Sequence, residues 1–153
     1  MDFITVFLLS MLPITELQGG ITYGLTVLKM PAVMAFLAGT AGCSTSAMIL
    51  LIALKPCTQW LMKHSKLADR FFNWLFERTR TKYSESMSRL GHFALFTYIV
   101  LPTPGSGAWT GALIAHLFGV PFKKAAPILI LGLIGTGLIV TFGVESFLRL
   151  FQI

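Results

Sequence analysis

Residues 92–118 read HFALFTYIV LPTPGSG AWTGALIAHLF, without an Asp, Glu, Lys or Arg anywhere in the stretch. Two apolar arms flank a Pro/Gly tip. As a helix each arm reaches about 15 Å, half of the roughly 30 Å hydrocarbon core of a bilayer. Pro102 and Pro104 remove backbone donors and drive the residues before them out of the α conformation. Two half-length helices around such a tip describe a re-entrant hairpin. That tip is tolerated at membrane depth only where protein or a wet cavity surrounds it.

The rest of the chain agrees with a membrane setting. Of its 153 residues 55% are hydrophobic and 12% charged, against roughly 25% charged in an ordinary soluble chain. Mean hydropathy is +0.77. There is too little polar surface here to clothe a water-soluble domain, which argues against a soluble enzyme, a DNA-binding domain and a disordered tail. The net charge of +6 is concentrated: eight of the twelve Lys and Arg lie between Lys55 and Arg89, while residues 125–144 carry no charge. That asymmetry belongs to membrane topology, and nucleic acid is not an expected partner.

Working outward, residues 30–54 and 125–147 are long enough to span. Residues 3–12, Leu12-Pro13, a polar cluster and residues 21–28 repeat the broken pattern of residues 92–118. Leu12-Pro13 recurs as Leu101-Pro102, 89 residues on, and Pro31 recurs as Pro121, 90 residues on. The expected fold class is therefore an all-α integral membrane protein. Two re-entrant helical hairpins and two full transmembrane helices form an inverted repeat, the architecture of many secondary transporters. A single membrane domain over 1–153 divides into a first hairpin-plus-span unit (1–54), a basic amphipathic interfacial segment (55–90) and a second unit (91–153). The positive-inside rule places the basic segment in the cytoplasm and both termini outside. Asp2 where a leader would be basic argues that the first apolar run is retained. Cys43 and Cys57, about 21 Å apart if helical, are too distant for a disulfide.

Within the basic middle, Trp60, Leu67, Phe71, Trp74 and Leu75 fall on one face and Lys63, Lys66, Arg70 and Arg78 on the rest. Such a helix lies in the headgroup plane, in contact with membrane lipid. Glu16 is the sharpest functional candidate: an ionisable group at a hairpin tip is costly and belongs to a site. A buried carboxyl there can carry a proton, and Thr15 and Gln18 beside it can hydrogen-bond a substrate. The second tip offers Pro102, Pro104, Gly105, Ser106, Gly107, Trp109 and Thr110. Its glycines permit close backbone approach, and its amides at a half-helix N-terminus can hold an anion. Trp109 fills the space between hairpins or stacks on a substrate. His64 is expected in solvent, His92 at the interface, and His116 at the membrane edge. Glu145 and Arg149 have i,i+4 spacing for a surface pair, and Gly132, Gly135 and Gly137 provide for close helix packing. No metal-ligand set, phosphate-binding loop or nucleophile with a base is present, so no cofactor, metal or enzyme activity is implied.

The two tips resemble those of a known family. Leu-Pro-Ile-Thr-Glu-Leu-Gln-Gly-Gly-Ile (12–21) resembles the opening motif of the small multidrug export proteins. Pro-Thr-Pro-Gly-Ser-Gly-Ala-Trp-Thr-Gly (102–111) resembles that family's second signature, with Pro-Phe-Lys-Lys-Ala (121–125) in the matching place. The layout is distantly similar to the larger DedA-type membrane proteins, which include lipid-carrier translocases. The resemblance implies a multi-pass protein of the bacterial cytoplasmic (inner) membrane with a transport role. Where the family carries Arg after Glu-Leu this chain has Gln18, and where an Asn is common it has Cys43. The expected function is a small exporter, proton-coupled through Glu16, acting where the tips meet near the midplane on a small molecule. A homodimer is expected, since two spans shield two polar tips poorly. The alternatives are a lipid-carrier flippase or scramblase for polyprenyl phosphate or phospholipid, and a membrane scaffold without transport.

Overall fold

The computed structural model describes residues 1–81, 85–102 and 107–151. Among them are seven helices and no strand. Asp2–Met11 (α1) and Glu16–Thr26 (α2) flank the first tip, and Ala32–His64 (α3) is the first long helix. Lys66–Thr81 (α4) follows. Glu85–Val100 (α5) and Ala108–Leu117 (α6) flank the second tip, and Phe122–Phe151 (α7) closes the chain. A pair of helices broken at Leu-Pro and followed by one long helix thus occurs twice.

The chain breaks where proline chemistry dictates. Leu12, just before Pro13, leaves α1 in an extended conformation (φ −75°, ψ 143°). Pro31 caps α3 from outside the helix. At 33 and 30 residues, α3 and α7 reach about 50 and 45 Å, long enough to cross a membrane by length and composition. α1, α2 and α6, with 10, 11 and 10 residues, do not reach 20 Å.

Two boundaries differ from the sequence expectation. The first span does not stop before Lys55-Pro56; α3 continues through Pro56 to His64. A proline costs one backbone hydrogen bond and need not end a membrane helix when other groups take up the freed carbonyls. Just beyond Pro56 the Thr58 hydroxyl is within hydrogen-bonding distance of the carbonyls of Leu54 and Lys55 (2.8 and 3.0 Å), tightening the turn that contains the proline. Trp60 therefore belongs to α3, separated from Leu67, Phe71 and Trp74 on α4 by extended Ser65. The first arm of the second hairpin likewise begins at Glu85, not at residue 92, because helicity follows the backbone and runs on past the point where the side chains turn polar. Trp60, Leu67, Phe71 and Trp74 are all exposed; Leu75 and Arg78 lie outside the described side chains.

The long helices run antiparallel. Gly137 of α7 sits against Phe36 and Thr40 of α3, while the N-terminal end of each long helix shares a cleft with the C-terminal end of the other. α1 and α2 pack on α3, and α5 and α6 on α7. The contacts also cross over: α2 packs on α7 and α6 on α3. The core is built from both halves, with Leu17 and Ile21 of α2, Ile99 of α5 and Leu129 and Leu133 of α7 almost fully buried. Glycine makes the closest approaches possible. A Cβ on Gly42 would stand 2.2 Å from the Phe7 carbonyl oxygen, and one on Gly132, 90 residues on, 2.7 Å from Ile99. The three glycines that the sequence marks on the last span all serve packing, Gly135 against Val100 and Gly137 against Phe36.

Gly42→Ala must push α1 off α3, because backbone cannot rotate away as a side chain can. Overpacking of this kind costs roughly 1–3 kcal/mol. The expected result is a lowered unfolding midpoint in detergent, measured by a thiol-reactive thermal melt. Gly143→Ala, with nothing within 4 Å, is expected to leave the midpoint unchanged or raise it.

Candidate functional site

The two tips meet. Glu16 opens α2 and is 7% exposed. A Cβ on Gly107 would lie 2.4 Å from its carboxyl carbon and 2.5 Å from each oxygen, so the Glu16 carboxyl occupies space that only a glycine at 107 leaves free. The Glu16 carboxyl also lies near Cys43 of α3. Cys43, 0% exposed, lies beside the backbone of Leu17 and Ala108. Those are the first turns of α2 and α6. Two half-helix N-termini and one carboxyl therefore converge on a single point of α3, twelve residues into the helix.

Each tip is held by its own bonds. The Glu16 amide donates to the Leu12 carbonyl (2.9 Å) and the Gly19 amide to the Thr15 carbonyl (2.8 Å). The Thr15 hydroxyl donates back to the Leu9 carbonyl, closing the turn over the end of α1. Glu16 itself takes φ +47°, a left-handed conformation that costs a non-glycine residue energy and persists only where its surroundings enforce it. Between the tips, Trp109 Nε1 donates to the Met11 carbonyl (3.1 Å), one of the orphan carbonyls at the C-terminus of α1. Trp109 thus ties the start of α6 to the end of α1.

The remaining candidates spread around this junction. Gln18 is half-buried on α2, Thr110 half-buried on α6, and Pro102 exposed at the end of α5. Pro104, Gly105 and Ser106 lie outside the described residues. Four buried hydroxyls, those of Ser10, Thr40, Ser44 and Thr141, have no partner among the described residues. Ser10 is wedged beneath Gly20 and Gly39, and Thr40 faces Gly137. Cys57 is exposed. His64 stacks on Trp60 (4.5 Å) and lies 2.9 Å from its carbonyl. His92 is half-buried. Glu145 and Arg149 form the expected pair at 3.6 Å.

Two features had no adequate signal in the sequence. Cys43 as the meeting point of two helix ends is invisible in a one-dimensional string, where it opens a polar patch, Cys-Ser-Thr-Ser, inside a span. The contact of His116 Nε2 with the Thr58 hydroxyl (3.1 Å) joins residues 58 apart and anchors α6 to the far part of α3.

An all-helical chain with two membrane-length helices and a polar junction of broken helices in its interior has the form of a membrane transport protein. Residues 16–139 match the model of the family described as "putative small multi-drug export protein", and the chain belongs to that family. The match begins at Glu16 and contains the whole second tip. Neither curated proteins nor solved structures give a match.

The packing of Gly107 on Glu16 predicts strong coupling between them. Gly107→Ala is expected to destabilise the chain, and most of that loss should vanish in a Glu16→Ala background. A double-mutant cycle on detergent unfolding free energies checks this, with an expected coupling of about 1–3 kcal/mol. Trp109→Phe keeps an aromatic ring but loses the indole N–H that bonds Met11, and the lost hydrogen bond alone is expected to cost about 0.5–1.5 kcal/mol by the same measurement.

Proposed function

We propose that this chain is a proton-coupled exporter of small molecules that works by alternating access around Glu16. The observation that carries the reading is the junction itself: one buried carboxyl, held at an unfavourable backbone angle, where two half-helix N-termini converge on a long helix. Broken helices meeting in this way are how secondary transporters build a site inside the membrane. Glu16 is one of two non-glycine residues with positive φ among the described residues, the other being Lys29, and such strain at a buried carboxyl is consistent with a functional site. An ionisable side chain at that depth serves ion or proton pathways. The name of the family supports export of drug-like molecules and carries no information about coupling.

In this reading the two short-short-long units are an inverted repeat, and the broken pairs are re-entrant hairpins entering from opposite faces. The support is the antiparallel course of α3 and α7 and the crossed packing of α2 on α7 and α6 on α3. The chain sits in the bacterial inner membrane with the basic segment cytoplasmic. Glu16 takes up a proton from one side and releases it to the other, and the α2 and α6 amides hold a polar part of the substrate. The buried hydroxyls of Thr40, Ser44 and Thr141 offer water or substrate partners between the long helices. A homodimer would cover the polar tips from lipid.

Two experiments test this. Single cysteines at positions 15 and 106, in a chain free of Cys43 and Cys57, are expected to react with impermeant maleimide from opposite faces. Labelling of both from the same face would refute the inverted arrangement. Everted vesicles carrying the chain should accumulate ethidium when a proton gradient is imposed. Glu16→Gln should lower that rate at least tenfold while the protein still inserts and melts cooperatively. An unchanged rate would remove Glu16 from the coupling role.

A further inference from the structure

Two clefts open at opposite ends of the molecule, and they are built from the same positions of the two units. One, of about 410 Å³, is lined by Lys55, Thr58 and Gln59 of α3 and by residues 119–122 at the turn into α7, with His116 at its wall. The other, of about 380 Å³, is lined by Glu145, Leu148 and Arg149 of α7 and by residues 29–32 at the turn into α3, with Leu25 at its wall. Adding 90 carries residues 29–32 onto 119–122, and carries Lys55, Thr58 and Gln59 onto Glu145, Leu148 and Arg149. The turns agree in conformation as well: Lys29 has φ +51° and Gly119, its counterpart, φ +66°.

The clefts are spaced like the two surfaces of a bilayer. Ala32 lines one and Lys55 the other, 23 residues apart on α3 and so about 35 Å. Phe122 and Glu145 repeat the same interval on α7. Each cleft combines apolar wall with net positive charge, from Lys55 in one and from Lys29 and Arg149 against a single Glu145 in the other. Each also lies where a headgroup and the first carbons of its chains would sit.

We propose that these clefts are a duplicated pair of lipid-binding sites, one in each leaflet, that hold the phosphate of an acidic glycerophospholipid while its chains lie along the adjoining apolar wall. Lys55 and Gln59 contact the phosphate in one, Lys29 and Arg149 in the other. The proposal rests on α3 and α7 spanning the membrane and is independent of whether the chain transports anything.

Native mass spectrometry of the full chain, released from detergent after titration with phosphatidylglycerol or phosphatidylcholine, tests it. Two tightly retained phosphatidylglycerols per chain are expected, with phosphatidylcholine held at least tenfold more weakly. Lys55→Ala should remove one, Lys29→Ala combined with Arg149→Ala the other, and all three together both. Gln59→Glu, which keeps the volume of the side chain, should repeat the loss caused by Lys55→Ala without disturbing packing. Lys63→Ala, on the same basic stretch but outside the clefts, should change nothing. Retention of two lipids by the Lys55 variant, equal loss in the Lys63 variant, equal binding of phosphatidylcholine, or displacement by millimolar inorganic phosphate would each overturn the proposal.

Discussion

Everything in this structure leans on the contact between the Glu16 carboxyl and Gly107. Half-length helices cannot cross a membrane or satisfy their own ends, and two tips exposed singly to hydrocarbon would leave several backbone groups unmet. Bringing them together lets each shield the other. The close approach is steric first: a glycine at 107 makes room for a carboxyl, and Trp109 braces the gap by donating to the Met11 carbonyl. α3 then supplies the third wall at Cys43. Gly137 lets α7 approach α3, while Gly42 and Gly132 let α1 and α5 approach the long helices, each placed where a neighbour comes too near for a Cβ.

Much of this was legible in the sequence because the determinants are local. Proline position sets the breaks, uninterrupted apolar length sets the two long helices, and the glycines of α7 foretell close packing. Glu16 stood out because a carboxyl in so apolar a setting is expensive. The i,i+4 pair of Glu145 and Arg149 followed from helical spacing alone.

What was not legible is long-range or depends on how helices end. Hydropathy marks where side chains change, whereas a helix ends where its backbone bonds do, so α3 ran on past Pro56 and α5 began early. No spacing rule links Thr58 to His116, Trp109 to Met11, or Cys43 to Leu17 and Ala108, since those contacts exist only once the two halves have packed. The correspondence of the clefts is intermediate: the 90-residue offset of Pro31 and Pro121 was visible in the string, but only the folded chain reveals that seven pairs of lining residues obey it.

The offset is 89 at Leu12-Pro13 and 91 on the arms that follow the tips, where Gly20 maps onto Gly111. The same offset maps Glu16 onto Gly107, the residue it touches. If the two units are related by a pseudo-twofold axis, that axis passes between these two side chains, and a symmetric protein would be forced to a choice there. Two carboxyls would collide and repel, and two glycines would leave a hole with no charge. A dimer of identical half-length chains can never place one of each. Joining the halves into a single chain removes that restriction and lets one position hold an acid while its twin holds nothing. On the reading proposed above, a single carboxyl at the junction needs two unlike halves, and one chain that carries both supplies them.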